Sequence, residues 1–128
     1  MAEYERKLRC LAVHDERFIA AAFASERGNL DASELDPKTH ALVRLGALLA
    51  LSATPPSLQS DVEAALAAGA SFDEIVGTLI AVAPEIGTAR TVSQAPGLAL
   101  ALGYDVDAAL QEPSRSRPRV LDRDDRGG

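Results

Sequence analysis

Apolar positions recur at three and four residues along most of the chain, and nowhere does a strand-like alternation persist, so the pattern predicts an all-α fold. Its densest stretch is DPKTHALVRLGALLALSA, residues 36–53. Asp36 suits the cap and Pro37 the first helical position, where a missing N–H goes unmissed. From Ala41 to Ala53 only Arg44, Gly46 and Ser52 interrupt the apolar run. A helix apolar nearly all round is central to a core or spans a membrane, and this run falls short of the roughly 18 to 20 residues a span requires. A central helix is expected, covered by its own chain and by another copy.

The same periodicity predicts the other elements. Tyr4–Val13 reads as an amphipathic helix, and Asp15 caps a second, Glu16 to Ser25, with Phe18, Ile19, Ala22 and Phe23 on one stripe. Gly28 is expected to close that helix, leaving a linker from Asn29 to Leu35. Thr54-Pro55-Pro56 should stop the central helix, with Thr54 and Pro55 outside helical geometry and Ser57 capping Leu58 to Ala68. Gly69 ends that helix. Ser71 with Glu74 forms a capping box for a helix whose Ile75, Val76, Leu79, Ile80 and Val82 face inward. Pro84 predicts a kink or break near Ala83, followed by a helix from about Glu85 to Gln94. Pro96 restarts a short helix ending at Gly103, and Asp105 caps a last turn, Val106 to Leu110.

Composition narrows the picture further. At 128 residues the chain suits one domain; residues 1–112 are read as that domain and 113–128 as a disordered charged tail. The tail has five arginines and three aspartates, a balance of +2 within a total of −6, which leaves −8 on residues 1–112. A chain so acidic is not expected to take nucleic acid as its partner. With 47% hydrophobic but only 4% aromatic residues and no tryptophan, the core is expected to close by bringing helix backbones together. One cysteine, Cys10, excludes an internal disulfide; with no leader pattern, a cytoplasmic location is expected, and no membrane association.

Three segments in order, LDPKTHALVRLGALLALSA, DVEAALAAGASFDEIVGTLIAVAPEIG and ALALGY, resemble the carboxymuconolactone decarboxylase family, which includes the alkylhydroperoxidase D type proteins. The resemblance covers roughly Leu35 to Tyr104. It implies an all-helical, alkylhydroperoxidase D-like bundle assembled as a homo-oligomer, a trimer or hexamer. Redox members carry Cys-x-x-Cys, a histidine four residues later, and a glutamate in the preceding helix. Counted back from DVEAALAAGAS, the cysteine positions fall on Thr54 and Ser57 and the histidine on Asp61. Counted forward from DPKT, the glutamate falls on Ala41 and the first cysteine on Ala53. Neither register supplies a thiol, and hydroxyls cannot take the thiolate's part toward peroxide.

The expectation is therefore a protein without thiol peroxidase chemistry that binds or converts a small carboxylate or lactone. As an enzyme it would be a cofactor-free decarboxylase or lyase; the alternative is a non-catalytic helical oligomerisation or ligand-sensing module. His40 and Arg44, four apart on one helix face, suit a carboxylate and a mobile proton. Thr54, Ser57, Gln59 and Asp61 occupy the place of the redox motif, Asp61 as a base. Glu85, Thr88, Arg90 and Gln94 lie beyond Pro84, with Glu85 and Arg90 able to line a cleft. The candidate catalytic residues are His40 and Asp61, and the candidate binding residues are Arg44, Thr54, Ser57, Gln59, Glu85 and Arg90. His14 with Asp15 lacks a third ligand at helical spacing, so no metal is expected. Cys10 is read as a small buried residue.

Overall fold

A computed structural model of the chain describes residues 1–111, and all of its regular elements are helices. They are α1 (Glu3–Ala12), α2 (Glu16–Phe23), α3 (Glu26–Ser33), α4 (Pro37–Ala50), α5 (Pro55–Ala67), α6 (Phe72–Ile86), α7 (Thr88–Ala101) and α8 (Val106–Gln111). Helix α4 packs against α5 and α6, and both of these pack against α7. These four enclose the core of Leu45, Leu49, Leu58, Val62, Ala65, Ala70, Ile75, Leu79 and Leu98. The N-terminal helices attach along one route, α1 to α2, α2 to α3 and α3 to α4, while α8 rests on α7. No helix among the described residues is long and apolar enough to cross a membrane. The expected tail, 113–128, lies outside the described residues.

The start and stop signals act as their chemistry dictates at most boundaries. Asp36 accepts from the Thr39 N–H at 2.9 Å, with Pro37 opening α4. Ser71 and Glu74 close the capping box, Glu74 N–H on the Ser71 hydroxyl and Ser71 N–H on the Glu74 carboxylate. After α5 the chain turns left-handed at Gly69, φ +98°; Gly69 N–H then bonds Leu66 C=O and Ala70 N–H bonds Ala65 C=O, the paired closure that satisfies two end carbonyls. Asp105 caps α8 through the Ala108 N–H.

Four boundaries differ from expectation. Gly28 does not end α2: Ser25 caps a separate helix, α3, through the Gly28 N–H, and this helix occupies most of the expected linker. Glycine is required there by packing, since a Cβ would sit 2.5 Å from the Ala21 carbonyl oxygen. Pro55 and Pro56 lie inside the first turn of α5, with Thr54 as the extended cap residue, because first-turn residues need no N–H. Pro84 and Pro96 are carried inside α6 and α7, and the break falls instead at Gly87, φ +91°. Val76 and Ile80 face outward, Ile80 at 66% exposure, while Ile75 and Leu79 are buried.

Helix α4 is central but covered on one side only. Leu45, Gly46 and Leu49 are buried, whereas Val43 and Leu51 remain 57% and 78% exposed. Gly46 lets α6 close on it, a Cβ there meeting Val82 at 3.3 Å and Thr78 at 3.4 Å. Cys10 is half-buried and free.

Gly28→Ala is expected to destabilise the protein by about 1–3 kcal/mol, because a backbone oxygen cannot swing aside for the methyl. Urea unfolding checks this; an unchanged midpoint would show that α3 can move off α2 without loss.

Candidate functional site

Three helices contribute one stripe each to a cleft of about 390 Å³. Helix α4 gives Pro37, His40, Ala41 and Arg44, spaced at three and four residues; α5 gives Asp61, Ala64 and Ala68; α3 gives Glu26, Arg27 and Leu30. That size lies within the range of small-molecule sites, and the walls mix apolar side chains with a few charged ones. A shallower hollow borders it, lined by Phe23, Ser25, Asn29 and again by Glu26 and Arg44.

His40 is the buried polar member, 7% exposed although it lies in the first turn of α4, because α3 covers it. Its Nε2 stands 2.7 Å from Asn29 Oδ1, and Asn29 Nδ2 donates to the Ala22 carbonyl at 2.7 Å. This bridge runs from the end of α2 through α3 to α4. It gives a hydrogen-bonded partner to an imidazole that would otherwise lose hydration on burial.

Asp61 is half-buried, and desolvation raises its carboxyl above the ordinary 3.8; the Arg44 charge opposes the rise and Glu26 adds to it. Arg44 is exposed at the rim and forms no salt bridge among the described residues. A guanidinium with open donors that shares a cleft with a buried imidazole and a partly desolvated carboxyl can grip an anion and exchange a proton with it.

Of the residues singled out from the sequence, His40, Arg44 and Asp61 are brought together. The others are not in this cleft. Thr54 and Ser57 pair with each other through their hydroxyls at 3.2 Å, and Gln59 donates to Glu63 on the outer face of α5. With prolines at its first two positions, α5 also lacks two of the N–H groups an anion would use. Leu58, 2% exposed, fills the space beneath this helix start. Glu85 is exposed, and Arg90 instead donates to the Ala50 carbonyl, closing the end of α4. Thr88 is exposed; Gln94 is buried, with its Oε1 left without a partner among the described residues.

Glu26, Arg27 and Asn29 were invisible as site residues because their segment reads as a loop once Gly28 is taken for a helix end. The Ser25-Glu26 pair, a cap residue before an acid, was the signal for α3. Among the described residues no cluster of three or more His, Cys, Asp or Glu is arranged to hold a metal ion. No protein-family model, curated protein or solved structure matches the chain.

The Asp61 shift sets a pH dependence of stability. Because the folded carboxyl binds its proton more tightly than the unfolded one, folding is favoured most below about 3.8, and this contribution is lost as pH rises from there through the raised folded value. Asp61→Asn is expected to remove that decline and to leave the protein no less stable at neutral pH. Thermal unfolding across pH 3–7, wild type against variant, checks this; a variant much less stable at pH 7 would mean the ionised form is the favoured one.

Proposed function

We propose that the chain is a carboxymuconolactone decarboxylase-like protein without thiol peroxidase chemistry, and that it binds a small carboxylate or lactone in the cleft between α3, α4 and α5. The observation that carries this reading is the convergence on one cavity of ligand size of Arg44, which has no ion-pair partner among the described residues, a buried His40 and a partly desolvated Asp61. Arg44 takes the carboxylate, and His40 and Asp61 supply the groups that accept or return a proton. Conversion, where it occurs, follows as cofactor-free proton transfer in decarboxylation or lactone isomerisation. The resemblance lends support in one further respect: Ala41 and Asp61, the positions matched to the family's glutamate and histidine, line this same cleft.

A second reading is a non-catalytic helical module kept for assembly or ligand sensing. It is favoured by Leu58 filling the start of α5 and by the uncovered apolar face of α4 and α6. On α6 the outward positions Val76, Gly77, Ile80, Ala81 and Pro84 carry no charge, and Val43, Ala47 and Leu51 continue this character on α4. A second copy of the chain is the proposed cover for this surface, in a trimer or hexamer, under either reading.

A thermal-shift screen of small carboxylates and lactones tests the cleft, since a ligand of the native state raises its apparent stability. A saturable rise is expected for at least one of them. Arg44→Ala should weaken it tenfold or more, about 1.4 kcal/mol, while Ser57→Ala leaves it unchanged. No shift with any of them, or equal shifts in Arg44→Ala, would overturn the binding reading in favour of the assembly module. Peroxide consumption with a dithiol should match background in both wild type and Cys10→Ser; turnover that depends on Cys10 would refute the absence of thiol chemistry. Light scattering should show an oligomer that Ile80→Glu drives toward monomer, and a wild-type monomer would remove the self-assembly claim.

A further inference from the structure

The amide of Asn29 can be oriented without ambiguity. A backbone carbonyl only accepts hydrogen bonds, so the 2.7 Å contact with the Ala22 oxygen places the Asn29 nitrogen there and turns its oxygen to His40. An amide oxygen cannot donate, so the proton of that second bond belongs to His40 Nε2. In a neutral imidazole the lone pair then lies on Nδ1. Nδ1 makes no hydrogen bond among the described residues, and the only buried side-chain nitrogen or oxygen without a partner among them is Gln94 Oε1. Nδ1 is therefore not a sealed-in atom, and His40 is one of the residues that line the cleft.

We propose that Asn29 is a positioning residue: it holds neutral His40 as the Nε2–H tautomer and so presents an unprotonated Nδ1 to the cleft as a proton acceptor. This rests on the cleft being the ligand site. The charged side chains that line the cleft with His40 are Glu26 and Arg27 from α3, Arg44 from α4 and Asp61 from α5. None of them hydrogen-bonds the ring among the described residues, whereas Asn29 does, so the Asn29 bond selects the tautomer. The ligand class that suits the arrangement is a carboxylate or lactone with an acidic C–H beside its carbonyl. The C–H bond breaks, an N–H bond forms at Nδ1, the electron pair stays on the ligand as its enolate, and the imidazolium holds the proton for return.

Long-range proton–nitrogen correlation spectra of the full chain, recorded above the imidazole titration and assigned with His14→Gln, read the tautomer directly. His40 is expected to show a protonated Nε2 and a Nδ1 at the shift of an unprotonated nitrogen. Asn29→Asp retains the acceptor and should preserve this pattern; Asn29→Leu should move both shifts toward the mixture of free histidine. A wild-type His40 protonated at Nδ1, or a pattern unchanged in Asn29→Leu, would overturn the positioning role. Should Asn29→Leu fail to fold, wild type and Asn29→Asp still decide, a Nδ1–H tautomer in either refuting the proposal. The spectra need no ligand, so this outcome is separable from the thermal-shift screen: ligand binding with the wrong tautomer sinks the positioning role alone, and the stated tautomer without ligand binding sinks only the cleft reading.

Discussion

Close approach of helix backbones is the constraint from which the rest of this molecule follows. A core with no tryptophan and few aromatic rings has no large plates to span gaps, so α4, α5, α6 and α7 must come near enough for leucine, valine and isoleucine to touch across alanines. Gly46 against Thr78 and Val82, and Gly97, where a Cβ would meet Leu58 at 3.2 Å, mark two places where the missing side chain makes that approach feasible. Leu45 and Leu49 lie at its centre with no exposure. Each side chain buried in this way contributes roughly 1.5–3 kcal/mol, and the outer helices have no comparable source of anchorage.

The sequence announces local decisions well and packing decisions poorly. Asp36, Ser71, Gly69 and Asp105 act within a few residues of themselves, through a cap or a left-handed turn, and each lands where its chemistry requires. Gly28 looks identical to a terminating glycine, yet its role is set by the Ala21 carbonyl of another helix, which no local pattern reveals. Pro84 and Pro96 are read as breaks because each removes a donor, but the surrounding helix survives the loss when both flanks are packed. Val76 and Ile80 join the inward set by apolarity alone. Their exposure reflects which side α4 and α7 occupy, a fact of the assembly and not of the helix.

The same distinction separates the site residues that were legible from those that were not. His40 and Arg44 share a helix face by spacing, and Asp61 belongs with them only because α5 returns beside α4. Gln59, two residues before Asp61, points from another face of α5, and Ser57, one turn earlier on the Asp61 face, lies beyond the cleft and pairs with Thr54. Glu26 and Asn29 required knowing that α3 exists. A first-turn position gives no sign that His40 is buried, and a neighbouring helix with a matching amide makes that burial tolerable.

Helix α3 has no fully buried residue of its own; it packs mainly on α2, more lightly on α4, and takes a hydrogen bond from Lys7 of α1 at the Ala32 carbonyl. Yet it forms one whole wall of the cavity. Segments that bury little detach at a free energy far below that of global unfolding. The cavity thus has walls of unequal anchorage: the α3 side is held by few apolar contacts, while the α4 and α5 sides are continuous with the leucine layer, so a change to the lining from α3 disturbs the core least.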